Sequence, residues 1–196
     1  MLVEELFMED SSVPSKEILP NTDQWIWGRE VLIWGHDLSH QYTCKVLRPK
    51  VGRLGMLSLQ YHHEKSESWI QLSGKSWALV ISNGKVCTRI LNPGDVQNIE
   101  LGMIHRLMGL TEDCQILEPS TPDRHAADKS VPKDVVRLHC VLGRDVSNAR
   151  NDSEARLVDE AIRISHEALN AIDAGGIPEE INVSELLGKT GFRLAL

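Results

Sequence analysis

Gln60-Tyr61-His62-His63-Glu64-Lys65-Ser66-Glu67, running on through an apolar stretch to Gly74, decides how this chain is read. Its counterpart is Gly94-Asp95-Val96-Gln97-Asn98-Ile99-Glu100-Leu101-Gly102-Met103-Ile104-His105. Both segments sit in strand-like surroundings and together offer imidazoles, a carboxylate and an amide oxygen. Zinc accepts those donors, and iron, manganese or nickel can also use them. Along a strand the side chains alternate faces, so Gln60 and His62 point one way while Tyr61 and His63 point the other. One pair only can face an interior. Gly102 suits a tight bend before His105. A site of Gln60, His62, Glu67 and His105 would supply one amide oxygen, two imidazoles and one carboxylate, leaving one or two positions open.

Working outward, the chain from Trp25 to about Cys140 is a series of short apolar runs broken by turn residues. Glu30-Val31-Leu32-Ile33-Trp34 precedes Gly35, and Tyr42 to Leu47 precedes Pro49. Ser76 to Ile81 meets Ser82-Asn83-Gly84, where Asn-Gly favours a tight hairpin into Lys85 to Leu91. Closely spaced strands without βαβ alternation predict an all-β sandwich or barrel. Beyond residue 150 the period changes. Asp152 or Ser153 can cap a helix whose Leu157, Ala161, Ile164, Ala168 and Ile172 share one face, and Gly175-Gly176 stops it. A short second helix is expected around Ser184 to Leu187, before Gly188. The division expected is an N-terminal arm over 1–20, a barrel over 21–147 and a helical extension over 148–196.

Composition narrows the function classes. The 196 residues suit one domain with an added element, and 41% hydrophobic content can build its core. A formal charge of -7 argues against a nucleic-acid binder, which needs a basic surface. No apolar run approaches the roughly 20 residues that span a bilayer. The acidic start, MLVEELFMEDSS, lacks the basic region of a secretory signal, so a cytoplasmic protein is expected. Cys44, Cys87, Cys114 and Cys140 are far apart and read as reduced thiols.

The two opening segments resemble the paired cupin motifs, written G-x5-H-x-H-x3,4-E-x6-G and G-x5-P-x-G-x2-H-x3-N. Glu67 to Gly74 fits the first, and Gly94 to His105 fits the second, with Glu100 at the proline and Gly109 at the asparagine. Leu57 to Trp69 is further similar to the S-L-Q-x-H-H-H-R-x-E-H-W segment of type II mannose-6-phosphate isomerases. Trp27-Gly28-Arg29-Glu30, Lys45-Val46-Leu47, His105-Arg106-Leu107, Asp134 to Leu138 and Gly143-Arg144 follow that family in the same order. The resemblance covers roughly residues 25 to 145. It implies a cupin, a double-stranded β-helix or jelly-roll barrel, here with a C-terminal helical appendage. It also selects Gln60, His62, Glu67 and His105 as ligands of one divalent metal, zinc first, with manganese, iron, nickel or cobalt as alternatives.

The implied activity is aldose-ketose isomerisation of a sugar or sugar phosphate through an enediolate. Lys45, Lys65, Arg106 and Arg137 are the candidates for phosphate recognition. His63 and Lys65 are the candidate catalytic groups, with Glu64 also near in sequence. Departures lie at Glu64, Lys65 and Ser68, where the family has histidine, arginine and histidine, and at His139-Cys140, where it has an acidic pair. Two other readings accompany this one. Two histidines and a carboxylate also match a metallocupin oxygenase, and the altered flanks suit a non-catalytic sugar-binding or regulatory cupin. A small-molecule ligand is expected, with no nucleic-acid or membrane partner, and a homodimer would cover apolar faces of the arm or helix.

Overall fold

A computed structural model describes residues 22–35, 39–122, 124–128 and 130–195, so the expected arm over 1–20 lies outside the described residues. The strands are β1 (Thr22–Trp25), β2 (Gly28–Trp34), β3 (Thr43–Pro49), β4 (Leu59–His62), β5 (Glu67–Ser73) and β6 (Ser76–Ser82). They continue as β7 (Lys85–Leu91), β8 (Asp95–Ile99), β9 (His105–Gly109), β10 (Gln115–Ser120), β11 (Val135–His139) and β12 (Gly191–Arg193). The helices are α1 (Arg124–Ala127) and α2 (Asp152–Asp173). A seven-stranded sheet runs β1-β2-β3-β10-β5-β8-β12, and a five-stranded sheet runs β11-β4-β9-β6-β7. β3 beside β10, β5 beside β8 and β4 beside β9 are the long-range antiparallel pairings that wind a jelly roll.

The hairpin between β6 and β7 forms where Asn83-Gly84 requires it. Asn83 takes a φ of 51°, and Ser82 pairs with Lys85 across the turn. β6 is apolar almost throughout because both of its faces are covered. Ala78 and Val80 face the interior between the sheets, beside Trp69, Leu107 and Ile116. Trp77 and Leu79 face outward, where α2 lays Val158, Ala161, Ile164, Ala168 and Leu169 over them. The helical period read from the sequence is therefore the face that roofs the five-stranded sheet.

The helix is capped one residue earlier than expected. Asn151 Oδ1 accepts from the Glu154 N–H at 3.0 Å, a role read for Asp152 or Ser153. The expected second helix is a short 3-10 turn over Val183–Glu185. The tail docks as β12, with Gly191 opposite Gln97 on β8. All four cysteines are free. No helix among the described residues is long and apolar enough to cross a membrane.

Arg106 explains how firmly α2 is seated. It alternates outward between the inward His105 and Leu107, and is fully buried under the helix. Its Nη1 donates to Ser165 Oγ at 2.7 Å, and its Nη2 reaches His139 Nδ1 at 2.7 Å and the His139 carbonyl at 3.1 Å. Ile164→Ala, at a position only 3% exposed, is expected to cost about 2–4 kcal/mol in urea unfolding. A cost within experimental error of zero would show that α2 does not cover this core.

Candidate metal centre

The register of the five-stranded sheet puts three polar side chains in one row. Arg137 on β11 pairs with Gln60 on β4, and Gln60 pairs with His105 on β9. Cross-strand partners share a face, so all three point into the barrel, joined by His62 two residues along β4. Tyr61 points the other way into the core beneath α2, with the Arg150 guanidinium 4.4 Å from its ring centre. The interior pair is thus Gln60 and His62. Glu67 enters from the opposite sheet at the start of β5.

His62, Glu67 and His105 are all buried, and their ligating atoms lie within 4.8 Å of one another. His62 Nε2 is 3.9 Å from Glu67 Oε2, and His105 Nε2 is 3.5 Å from Glu67 Oε1. Neither Nε2 has a hydrogen-bond partner among the described residues. His105 Nδ1 sits 2.8 Å from the Met103 carbonyl, which places the proton on Nδ1 and leaves the Nε2 lone pair toward Glu67. That loop is closed by Gly102, whose φ is 71° and whose N–H donates to the His62 carbonyl at 2.9 Å. Burial, with Lys65 next in effect, lowers His62 to about 4, and burial also lowers His105. Both imidazoles are therefore neutral near pH 7, the form that binds metal.

Charges around the trio set its balance. Trp69 Nε1 donates to Glu67 Oε1 at 3.1 Å. The Lys65 ammonium contacts Glu67 Oε2 and reaches Glu118 Oε1 at 2.9 Å. Burial alone would raise Glu67, but Lys65, His105 and His62 hold it at about 2. Glu118 is pushed up to about 6, first by burial and then by the charge of Glu67. Asp134 accepts from the N–H groups of His63, Glu64 and Lys65 at 2.9, 3.0 and 3.0 Å, and its Oδ2 lies 3.4 Å from His62 Nδ1. It fixes the loop, whereas His62 Nδ1 makes no hydrogen bond among the described residues. Glu67 and Glu118 thus share the ammonium of Lys65, and Asp134 stands on the far side of His62. The cluster could hold a metal ion.

These residues open onto a cavity of about 720 Å³ lined also by Gln60, Lys45, Arg137, Arg144 and Trp25. Lys45 is buried there, 3.5 Å from Glu30 Oε1. Two of the expected site residues are not brought to it. His63 is exposed and packs edge-on against Tyr61, with ring centres 5.2 Å apart, because strand alternation turns it away from the barrel. Arg106 is likewise an outward residue of β9, buried beneath α2 rather than facing a ligand. Glu118, Asp134 and Arg144 join the site without having been picked out as site residues. Asp134 lies roughly 70 positions from the loop that it holds, a relation that no local spacing carries.

No protein-family model and no curated protein matches this sequence. Solved structures do resemble it. Oxalate decarboxylase from Bacillus subtilis superposes with a TM-score of 0.50 at 17% identity, over 90% of this chain and 40% of that one. The Lactobacillus farciminis oxalate decarboxylase formate complex gives 0.45 at 17% identity, over 53% and 30%. CapF bound to the inhibitor 3-isopropenyl-tropolone gives 0.48 at 15% identity, over 61% and 34%. The chain spans only 30% to 40% of the length of these neighbours. They are cupin-fold proteins, and the fold of this chain is a cupin with a helical appendage.

His139 gives the site's surroundings a pH signature. Burial, the Arg106 guanidinium and His166 hold it at about 4, whereas an unfolded histidine titrates near ~6.5. Between those values the unfolded chain binds a proton that the folded one refuses, so stability falls as pH drops from about 6.5 toward 4. Calorimetric melting temperatures at pH 7.5 and 5 should therefore differ less in His139→Gln than in the wild type. An unchanged difference would mean that His139 is not held neutral by Arg106.

Proposed function

We propose that this chain is a metal-dependent cupin isomerase, interconverting aldose and ketose forms of a sugar or sugar phosphate in the manner of the mannose-6-phosphate isomerases. The observation that carries the proposal is the convergence of Gln60, His62, Glu67 and His105, from two sheets, on one cavity of about 720 Å³. The motifs of the sequence support the isomerase branch, and the fold neighbours support only the cupin frame. In this reading those four side chains hold one divalent ion, zinc first among the candidates. Held there, such an ion would supply positive charge for the negative charge that develops on the sugar oxygens.

The chain's own groups divide the remaining work. The reaction moves a proton between two adjacent carbons, which needs a group able both to accept and to return it. Lys65 is unsuited to that task, because Glu118 and Glu67 outweigh the effect of burial and raise its pKa above the ordinary lysine range. It acts instead as a fixed cation that holds Glu67 and Glu118 in place. We assign the proton transfer to Glu118, a buried carboxylate of β10 in the cavity wall. Trp27 and Trp69, at 5% and 2% exposure, add apolar surface to the cavity wall.

A second reading rests on the same trio. Two histidines and one carboxylate are also the ligand set of non-haem iron oxygenases. Incubation in deuterium oxide with aldoses, ketoses and their phosphates separates the two. The isomerase reading expects label at C1 or C2, lost when His105→Ala removes the ion and reduced about 100-fold or more in Glu118→Gln. Metal-loaded protein that incorporates no label from the whole panel would rule out isomerisation. Iron-dependent oxygen consumption would favour the oxygenase.

A further inference from the structure

Three of the chain's five tryptophans line the cavity, and they differ in what covers them. Trp27 and Trp69 are buried, whereas Trp25 is 46% exposed. The chain's other exposed indole, Trp34, is occupied by its own neighbours. It stacks on Tyr42 with ring centres 6.2 Å apart and meets His40 edge-on at 4.8 Å. Trp25 makes no ring contact among the described residues. Its cross-strand neighbour is Gly28, which has no side chain to lay over the indole. Any larger residue is shut out there, because a Cβ would come within 2.2 Å of the Arg48 carbonyl oxygen. The hairpin that carries Trp25 is also anchored. The Lys50 N–H donates to the Trp27 carbonyl at 2.9 Å, and Lys50 Nζ donates to the Ile26 carbonyl at 3.1 Å. An aromatic surface is thus held in the cavity wall on a fixed support, without a partner from the protein.

We propose that Trp25 is the platform of a distal subsite, on which a second sugar ring of the ligand stacks while the first lies at His62, Glu67 and His105. The proposal rests on the reading that this cavity takes a sugar, and it enlarges that sugar to a reducing disaccharide or longer saccharide. Trp25 ends β1 and Glu67 begins β5, and both line the one cavity. Four inter-strand steps separate the two strands, about 19 Å along the sheet. One pyranose ring cannot touch both residues, so a saccharide that does needs a second ring. A pyranose presents C–H bonds on its face and hydroxyl groups around its rim, which suits an indole set beside polar side chains. Glu30 supplies such a group. It lies two residues along β2 from Gly28, on the same face, and lines the same cavity with Lys45 3.5 Å away.

Calorimetric titration of the whole chain tests the subsite, with glucose, mannose, cellobiose, maltose, mannobiose and uridine monophosphate as probes. The wild type should bind at least one disaccharide about tenfold or more tightly than its component monosaccharide. Trp25→Ala should remove that advantage and leave the monosaccharide unchanged, and Trp25→Phe should keep part of it. Trp34→Ala, at the exposed indole outside the cavity, should alter neither, with melting temperatures confirming that each variant is folded. Disaccharides that bind no more tightly than monosaccharides, or an advantage that survives Trp25→Ala, would overturn the proposal. So would Trp25-dependent binding of uridine monophosphate alone, which would make the platform one for a nucleobase. Deuterium exchange is followed on the same samples. Trp25-dependent disaccharide binding without exchange supports the subsite and counts against the isomerase reading alone. Exchange with monosaccharides, but no disaccharide preference, sinks the subsite and leaves that reading standing.

Discussion

Glu67 is the contact on which the site depends, because it is where the two sheets meet chemically. It begins β5 of the larger sheet, and His62 and His105 stand opposite on β4 and β9 of the smaller one. A buried carboxylate is costly unless charges and donors surround it. Here Trp69 donates to one oxygen and Lys65 meets the other. Each of these neighbours is itself fixed. Lys65 is held by Glu118 and by a loop whose N–H groups converge on Asp134, and His105 is held by the Met103 carbonyl.

The outer layer serves the same end. β9 carries His105 inward and Arg106 outward, and the neighbours of Arg106 are Ser165 of α2 and His139 of β11. The helical appendage thus braces the strand that presents His105. Burial lowers Arg106 to about 9, yet it remains charged near neutral pH, with hydrogen bonds in place of a counter-ion.

Much of this was legible in the sequence because its carriers are local. The strand runs, the Asn83-Gly84 hairpin and the helical face of α2 each depend on neighbours a few residues apart, and each appears in the structure. The assignment of Gln60 and His62 to the interior followed from strand alternation together with the family resemblance, and the core position of Tyr61 agrees with it. The same alternation, applied to the residues after each motif, places outward both His63, a candidate by nearness in sequence, and Arg106, a candidate by its charge. Glu118, Asp134 and Arg144 reach the cavity through strand pairing and loop closure across tens of residues, which periodicity does not encode. Gly109 stands at the motif's asparagine position for a related reason. A Cβ there would come within 2.3 Å of the Lys50 carbonyl, a contact visible only in the folded chain.

His62, Glu67 and His105 form a cluster that could hold a metal ion, with Gln60 beside them in the cavity wall. Elemental analysis of protein purified without chelator, followed by X-ray absorption at the edge of whichever metal is found, tests it most directly. About one equivalent per chain is expected, with two imidazole nitrogens in a shell otherwise made of oxygen, and loss of the metal in both His62→Ala and His105→Ala. Metal-free protein that takes up none of zinc, manganese, iron, nickel or cobalt would contradict it, and so would bound metal that survives both substitutions.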